Sequence, residues 1–254
     1  MITTRPYLRE ILLKREKIPS FDTYPFNLAA VRKLNKLSFH SDVTYIVGEN
    51  GSGKSTLLEA IAVAWGFNPE GGTKNFSFST RNSHSPLHNC LKLVKSAQRP
   101  RDGFFFRAES FFNLATNIEV MDSEPCDFAP PVINSYGRRS LHEQSHGESF
   151  LALIMKRFGG RGLYLLDEPE AALSPARQLS VLMRMHQLVQ KDSQFIIATH
   201  SPILMAYPRA SLFMLDEGGY RKASYKETEH YKLFDQFMNN PDGMLKAIMS
   251  EELD

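Results

Sequence analysis

The stretch Gly48-Glu49-Asn50-Gly51-Ser52-Gly53-Lys54-Ser55-Thr56 fills the pattern GxxxxGK[S/T] at every fixed position. Its chemistry follows from its spacing. Glycines at 48, 51 and 53 let successive backbone N–H groups turn inward around phosphate groups, where side chains would obstruct the approach. Lys54 then reaches the β and γ oxygens, and Ser55 offers its hydroxyl to Mg²⁺. The helix that begins here adds the positive end of its dipole. The stretch predicts a nucleoside triphosphate site, taken here as one for ATP with Mg²⁺.

A second constellation lies further along. Asp167 and Glu168 end the apolar run Gly162 to Leu166, so a buried strand would aim both carboxylates at the phosphates. Asp167 is expected to hold Mg²⁺ through water and Glu168 to polarise the attacking water, because phosphoryl transfer needs mainly positioning and charge neutralisation. His200 follows the next apolar run, Gln194 to Ala198, and from there can contact both the γ-phosphate and the water.

Elements must position these groups. Val43 to Val47 reads as the strand entering the phosphate loop, and Leu57, Leu58, Ile61, Ala62 and Trp65 recur at helical spacing up to Gly66, a helix stop. Tyr7 to Lys14 and Phe39 to Val47 read as extended stretches of an antiparallel element. Residues 68–100 are polar and read as a surface insertion. Phe104 to Phe106, Phe111 and Phe112 read as packing residues rather than base-stacking ones. A stripe of Phe150, Leu151, Ile154, Met155 and Phe158 ends at Gly159-Gly160. Ser174-Pro175 caps a helix whose buried face is predicted as Leu179, Leu182, Met183 and Val189. Ser211 to Leu215 and Tyr220 to Tyr225 predict a hairpin, and residues 227–254 a helical tail broken at Asn240-Pro241.

The 254 residues suit one α/β domain with insertions. No apolar run approaches the ~20 residues that span a bilayer. The N-terminus has no apolar core of a secretion signal, so a cytoplasmic location is expected. Cys90 and Cys126 read as reduced thiols without a zinc or disulfide framework. A net charge of +2 implies no polyanionic partner by itself, although Arg9, Lys14, Arg15 and Lys17 cluster locally. His84 and His88 lack companions at ligand spacing.

Gln144-Ser145-His146-Gly147-Glu148-Ser149 stands between the two constellations and resembles the signature LSGGQ of the ABC ATPase superfamily, with Ser145, Gly147 and Glu148 on matching positions. The order of phosphate-binding loop (P-loop), signature, Walker B (Asp167 and Glu168) and His200 is that family's order. The resemblance implies a P-loop NTPase of ABC type: a mixed central sheet with flanking helices, an antiparallel N-terminal β element and a helical signature subdomain. Residues 1–66 and 160–226 would form the nucleotide-binding core, 67–159 an insertion plus signature subdomain, and 227–254 a helical tail. In the family the signature binds the γ-phosphate held by another subunit, which implies an ATP-dependent homodimer. Two departures stand out: His146 replaces a signature glycine, and Ser174 replaces the usual aspartate. Glu109 takes the position of a metal-contacting loop residue.

Asp167-Glu168-Pro169-Glu170 and Thr199-His200-Ser201-Pro202 resemble the soluble SMC/RecF-like and overcoming-lysogenisation-defect-like branch more than transporter subunits. The resemblance implies an ATP hydrolase coupled to an effector protein, with DNA repair or phage defence as candidate settings and DNA as a candidate ligand. The alternatives are an ABC transporter's ATP-binding subunit and a slow ATP-dependent clamp.

Overall fold

The computed structural model describes residues 6–73, 85–123, 131, 133–134, 146–171, 173–216 and 218–251. In chain order the elements are β1 (Leu8–Leu13), α1 (Ala29–Arg32), β2 (Lys36–Ser38), β3 (Val43–Gly48), α2 (Lys54–Trp65), β4 (Leu91–Lys95), β5 (Asp102–Arg107), α3 (Phe111–Ser123), α4 (His146–Ala152), β6 (Gly162–Asp167), α5 (Pro175–Gln190), β7 (Gln194–Ala198), α6 (Pro202–Met205), β8 (Ser211–Asp216), β9 (Gly219–Ala223), α7 (Glu229–Asn239) and α8 (Pro241–Glu251).

Six strands form the central sheet in the order β5-β6-β7-β3-β8-β9. The first five run parallel and β9 closes an antiparallel hairpin on β8. Parallel strands covered on both faces should be apolar at nearly every position, and β3, β6 and β7 are. Alternate residues then divide between two cores. Tyr45, Phe104, Phe106, Tyr164, Leu166 and Ile197 face the side packed by α3, α4 and α5. Ile46, Phe105, Leu163, Leu165 and Ile196 face α2 and the three-stranded antiparallel sheet β2-β1-β4. Leu57, Leu58 and Ile61 of α2 are fully buried there. Cutting any of them to alanine should cost about 2–5 kcal/mol. Gly66, at φ 103°, ends α2 as a left-handed C-cap.

Three expectations change. Residues 91–95 fall within the stretch 68–100 read as a surface insertion, and 102–107 within the span 67–159 given to insertion plus signature subdomain, yet they are β4 and β5, strands of the two sheets. Burial of Leu87, Cys90 and Leu91 anchors β4 beneath a polar surrounding sequence. Phe39 to Val47 is not one extended stretch: β2 ends at Ser38 and β3 begins at Val43. The buried face of α5 is Gln178, Val181, Met185, Leu188 and Val189, while Leu179 and Met183 are exposed. Two faces of that helix carry apolar residues, and the register of the Ser174 cap decides which one meets the sheet. Cys126 and His84 lie outside the described residues.

Candidate functional site

The parallel register brings the carboxyl ends of three strands together. Ala198 of β7 pairs with Ile46 of β3 on one side and Asp167 of β6 on the other. Hence the loops carrying Gly48 to Thr56, Glu168 and His200 are spatial neighbours, at the end of an open α/β sheet where ligands characteristically bind. A cleft of about 630 Å³ opens there, lined by residues 48–52, His200, Ala29, Met214 to Asp216, Glu229 and His230.

Within the P-loop the glycines serve different ends. Gly51 (φ 77°) and Gly53 (φ 97°) take left-handed conformations, and a Cβ on Gly51 would meet nothing within 4 Å, as expected of a rim facing a ligand space. Gly48 differs. A Cβ there would lie 2.5 Å from the Leu215 carbonyl oxygen, so this glycine serves strand packing against β8 rather than phosphate approach. Lys54 is buried and donates from Nζ to the carbonyl oxygens of Gly48 (2.7 Å) and Glu49 (2.8 Å). Burial lowers its pKa, against the pull of Glu168, Asp167 and Glu170. Asn50 is exposed on the loop, and Ser55 and Thr56 lie in the first turn of α2.

Asp167 is 3% exposed, and burial pushes its carboxyl up to about 7, against a hydrogen bond from Ser55 and the Arg107 guanidinium. Glu168 adopts φ 48°, a left-handed conformation that costs a non-glycine residue roughly 1 kcal/mol, and its N–H donates to the Ala198 carbonyl (2.9 Å). That turn sets Oε1 of Glu168 4.0 Å from Nε2 of His200. Burial, with Lys54 and His230 nearby, holds the His200 ring down to about 4, so the imidazole is neutral at physiological pH.

Buried polar atoms normally find partners. Among the described residues, Ser52 Oγ, Asp167 Oδ1, Glu170 Oε2 and His200 Nε2 are buried without a hydrogen-bond partner. They cluster at the ends of β3, β6 and β7. Asp167 with its free Oδ1 and the adjoining Ser55 hydroxyl fit Mg²⁺, which takes one or two protein oxygens and fills its remaining positions with phosphate oxygens and water. No group of three or more His, Cys, Asp or Glu side chains suited to a metal occurs among the described residues.

Comparisons with known proteins bear on the family and the fold. A family model described as an AAA domain matches residues 25–101, and a second AAA-domain model, whose description names the AbiEii toxin and a type IV toxin–antitoxin system, matches residues 132–206. An uncharacterised ABC transporter ATP-binding protein of Haemophilus influenzae is 24% identical over 70% of this chain and 71% of its own. The L-cystine transport system ATP-binding protein TcyN of Escherichia coli is 26% identical over 74% and 83%. Among solved structures, an ATP-binding cassette of an ABC transporter shares the fold, with a TM-score of 0.51 and 16% identity over 88% of this chain and 94% of that one. Together the family models, the relatives and the shared fold support a member of the ABC ATPase superfamily.

For an ABC ATPase the signature is the remaining part of the site. Ser145 lies outside the described residues. Gly147 is buried and Glu148 exposed at the start of α4, where Glu148 accepts a hydrogen bond from Arg177 of α5 (3.2 Å). Neither lines the cleft at the P-loop of its own chain. Glu109, expected at the metal, is 78% exposed, and its carboxylate accepts from Arg107 at 3.0 Å. Arg107 itself comes to Asp167, Nε to Oδ2 at 3.9 Å.

Sequence reasoning gave no role at the site to three residues. Arg107 ends β5 in register with Asp167, a signal visible only once β5 and β6 are paired. Glu170 is half-buried and accepts the His200 backbone N–H (2.6 Å), tying the loop after β6 to the loop after β7. Burial raises its pKa, against that N–H and the Thr199 hydroxyl. His230, in the first turn of α7, meets His200 at 3.1 Å. No feature of the local sequence around His230 points to the site.

Proposed function

We propose that this ABC ATPase hydrolyses ATP, closes as a homodimer around two nucleotides, and couples that cycle to an effector protein. The observation that carries the reading is the cluster of unpartnered buried polar atoms, Ser52 Oγ, Asp167 Oδ1 and His200 Nε2, around a P-loop whose lysine is engaged by its own carbonyls. A triphosphate would accept from Ser52 Oγ and His200 Nε2, and its Mg²⁺ would take Asp167 Oδ1. Lys54, Ser52 and the N-terminus of α2 would bind its phosphates, and Ser55 and Asp167 would hold Mg²⁺, which supplies charge neutralisation. Glu168 would take a proton from water as the water oxygen bonds to the γ-phosphorus and the bond to the β–γ bridging oxygen breaks. His200 would donate from Nε2 to the γ-phosphate.

The position of Gly147 and Glu148 away from the cleft supports a signature that serves a second copy. In Glu168→Gln protein with ATP and Mg²⁺, light scattering should report a dimer that reverts to monomer with ADP. A monomer in both states overturns the shared site.

The description of the second family model names a toxin–antitoxin system, which supports an effector of that kind over one in DNA repair. A second reading, an ATP-binding subunit docked on a membrane transporter, draws on the transporter names of the relatives. No helix among the described residues is long and apolar enough to cross a membrane, so that reading requires a separate membrane-spanning partner. Co-purification with a multispanning protein would favour it.

A further inference from the structure

We propose that His230 is a positioning residue that fixes the tautomer of His200, so that His200 presents an N–H, rather than a lone pair, toward Glu168 and the γ-phosphate position. The proposal rests on the ATPase reading for its consequence but not for its geometry. Nδ1 of His200 and Nε2 of His230 are 3.1 Å apart, with ring centroids 5.3 Å apart and planes at 50°. Between two imidazoles at this distance, one nitrogen donates and the other accepts. The choice is decided on the far side of His200. There Nε2 is buried, has no hydrogen-bond partner, and lies 4.0 Å from the carboxylate oxygen of Glu168.

If His200 donated from Nδ1, its Nε2 lone pair would face that carboxylate, and two acceptors would oppose each other. If His230 donates instead, His200 carries its proton on Nε2, facing an oxygen. The second arrangement is favoured by the charge of Glu168, and it is the one a phosphate oxygen can also use. In a neutral histidine the hydrogen bond at one ring nitrogen sets the protonation of the other.

The fold delivers His230 rigidly. A Ser224–Glu227 capping box fixes the 3-10 turn at Tyr225–Glu227, with the Ser224 N–H donating to Glu227 at 2.6 Å. Thr228, fully buried, then caps α7 by accepting from the Tyr231 N–H at 3.2 Å. Two successive caps therefore hold the turn that carries His230, although α7 buries none of its own residues. On the other side, Glu170 pins the His200 backbone. The ring is thus held by one contact through its main chain and one through Nδ1.

The test is histidine ring ¹⁵N NMR on the nucleotide-free protein above pH 7, in wild type, His230→Ala and His230→Gln, with ATPase kinetics on the same three proteins. His200 should be the Nε2–H tautomer in wild type and a mixture in His230→Ala. His230→Gln, whose amide N–H can donate in the same place, should restore the single tautomer. The kcat should fall about tenfold in His230→Ala with KM for ATP unchanged, and recover in His230→Gln. A wild-type His200 protonated at Nδ1, an unchanged tautomer in His230→Ala, or an unchanged kcat would each overturn the proposal. A wild-type protein that does not hydrolyse ATP would overturn the ATPase reading instead, while the ring-nitrogen spectra still decide the role of His230.

Discussion

Arg107 stands beside Asp167, Nε to Oδ2 at 3.9 Å, because the parallel pairing of β5 with β6 puts the two residues in register. The same guanidinium bonds Glu59 and Glu109, so one half-buried cation is shared among three carboxylates. It does not restore Asp167 to an ordinary carboxylate, whose pKa stays at about 7 through burial.

That shift makes a pH prediction. The folded state keeps a proton on Asp167 that the unfolded chain releases, so the group's contribution to stability is full below pH ~4 and is lost as pH rises toward 7. Asp167→Asn removes the titration. In urea titrations of nucleotide-free protein the variant should exceed wild type by on the order of 1 kcal/mol or more at pH 8, with the gap narrowing at pH 5. It should nonetheless be inactive. Equal stabilities at both pH values would argue against the burial effect.

Lys54 separates binding from folding. Its ammonium bridges the Gly48 and Glu49 carbonyls, and it is the charge proposed to bind phosphate. Lys54→Ala should lower ATP turnover by at least ~100-fold, since a preorganised charge at developing phosphate negativity is worth several kcal/mol. Turnover at the wild-type rate, measured as phosphate release, would remove the P-loop assignment.

Gly48 and Gly51 of the loop should fail in different ways. Gly48→Ala drives a Cβ to 2.5 Å from the Leu215 carbonyl and should cost about 1–3 kcal/mol of stability by forcing β3 from β8. Gly51→Ala meets no neighbour, so its effect should come from the left-handed backbone, roughly 1 kcal/mol, together with weakened nucleotide binding. Thermal melts and nucleotide titrations on both variants check the contrast. A Gly48→Ala protein with wild-type stability would show that the strand can shift to admit the methyl group.

Much of this architecture was legible along the chain. The P-loop strand and helix, the strand ending in Asp167, the Ser174 cap and the break at Asn240-Pro241 all announce themselves through local chemistry: apolar runs, left-handed glycines, capping hydroxyls and proline. Such signals act within a few residues, so a sequence displays them. The choice between two apolar faces of α5 is different, and Leu179 and Met183 ended outside. Likewise β4 looks like part of a polar insertion until β1 pairs with it.

By itself the sequence displayed the phosphate-binding loop pattern and the residues proposed to act on a triphosphate, Lys54, Ser55, Asp167, Glu168 and His200. Tertiary structure alone decided which residues govern those groups. Arg107 reaches Asp167 by sheet register, Glu170 reaches the His200 backbone across two loops, and His230 reaches its ring from a helix beyond β9. The physical reason is that hydrogen bonds and charge act over a few ångströms in space, and strand order, not chain distance, determines which atoms come that close.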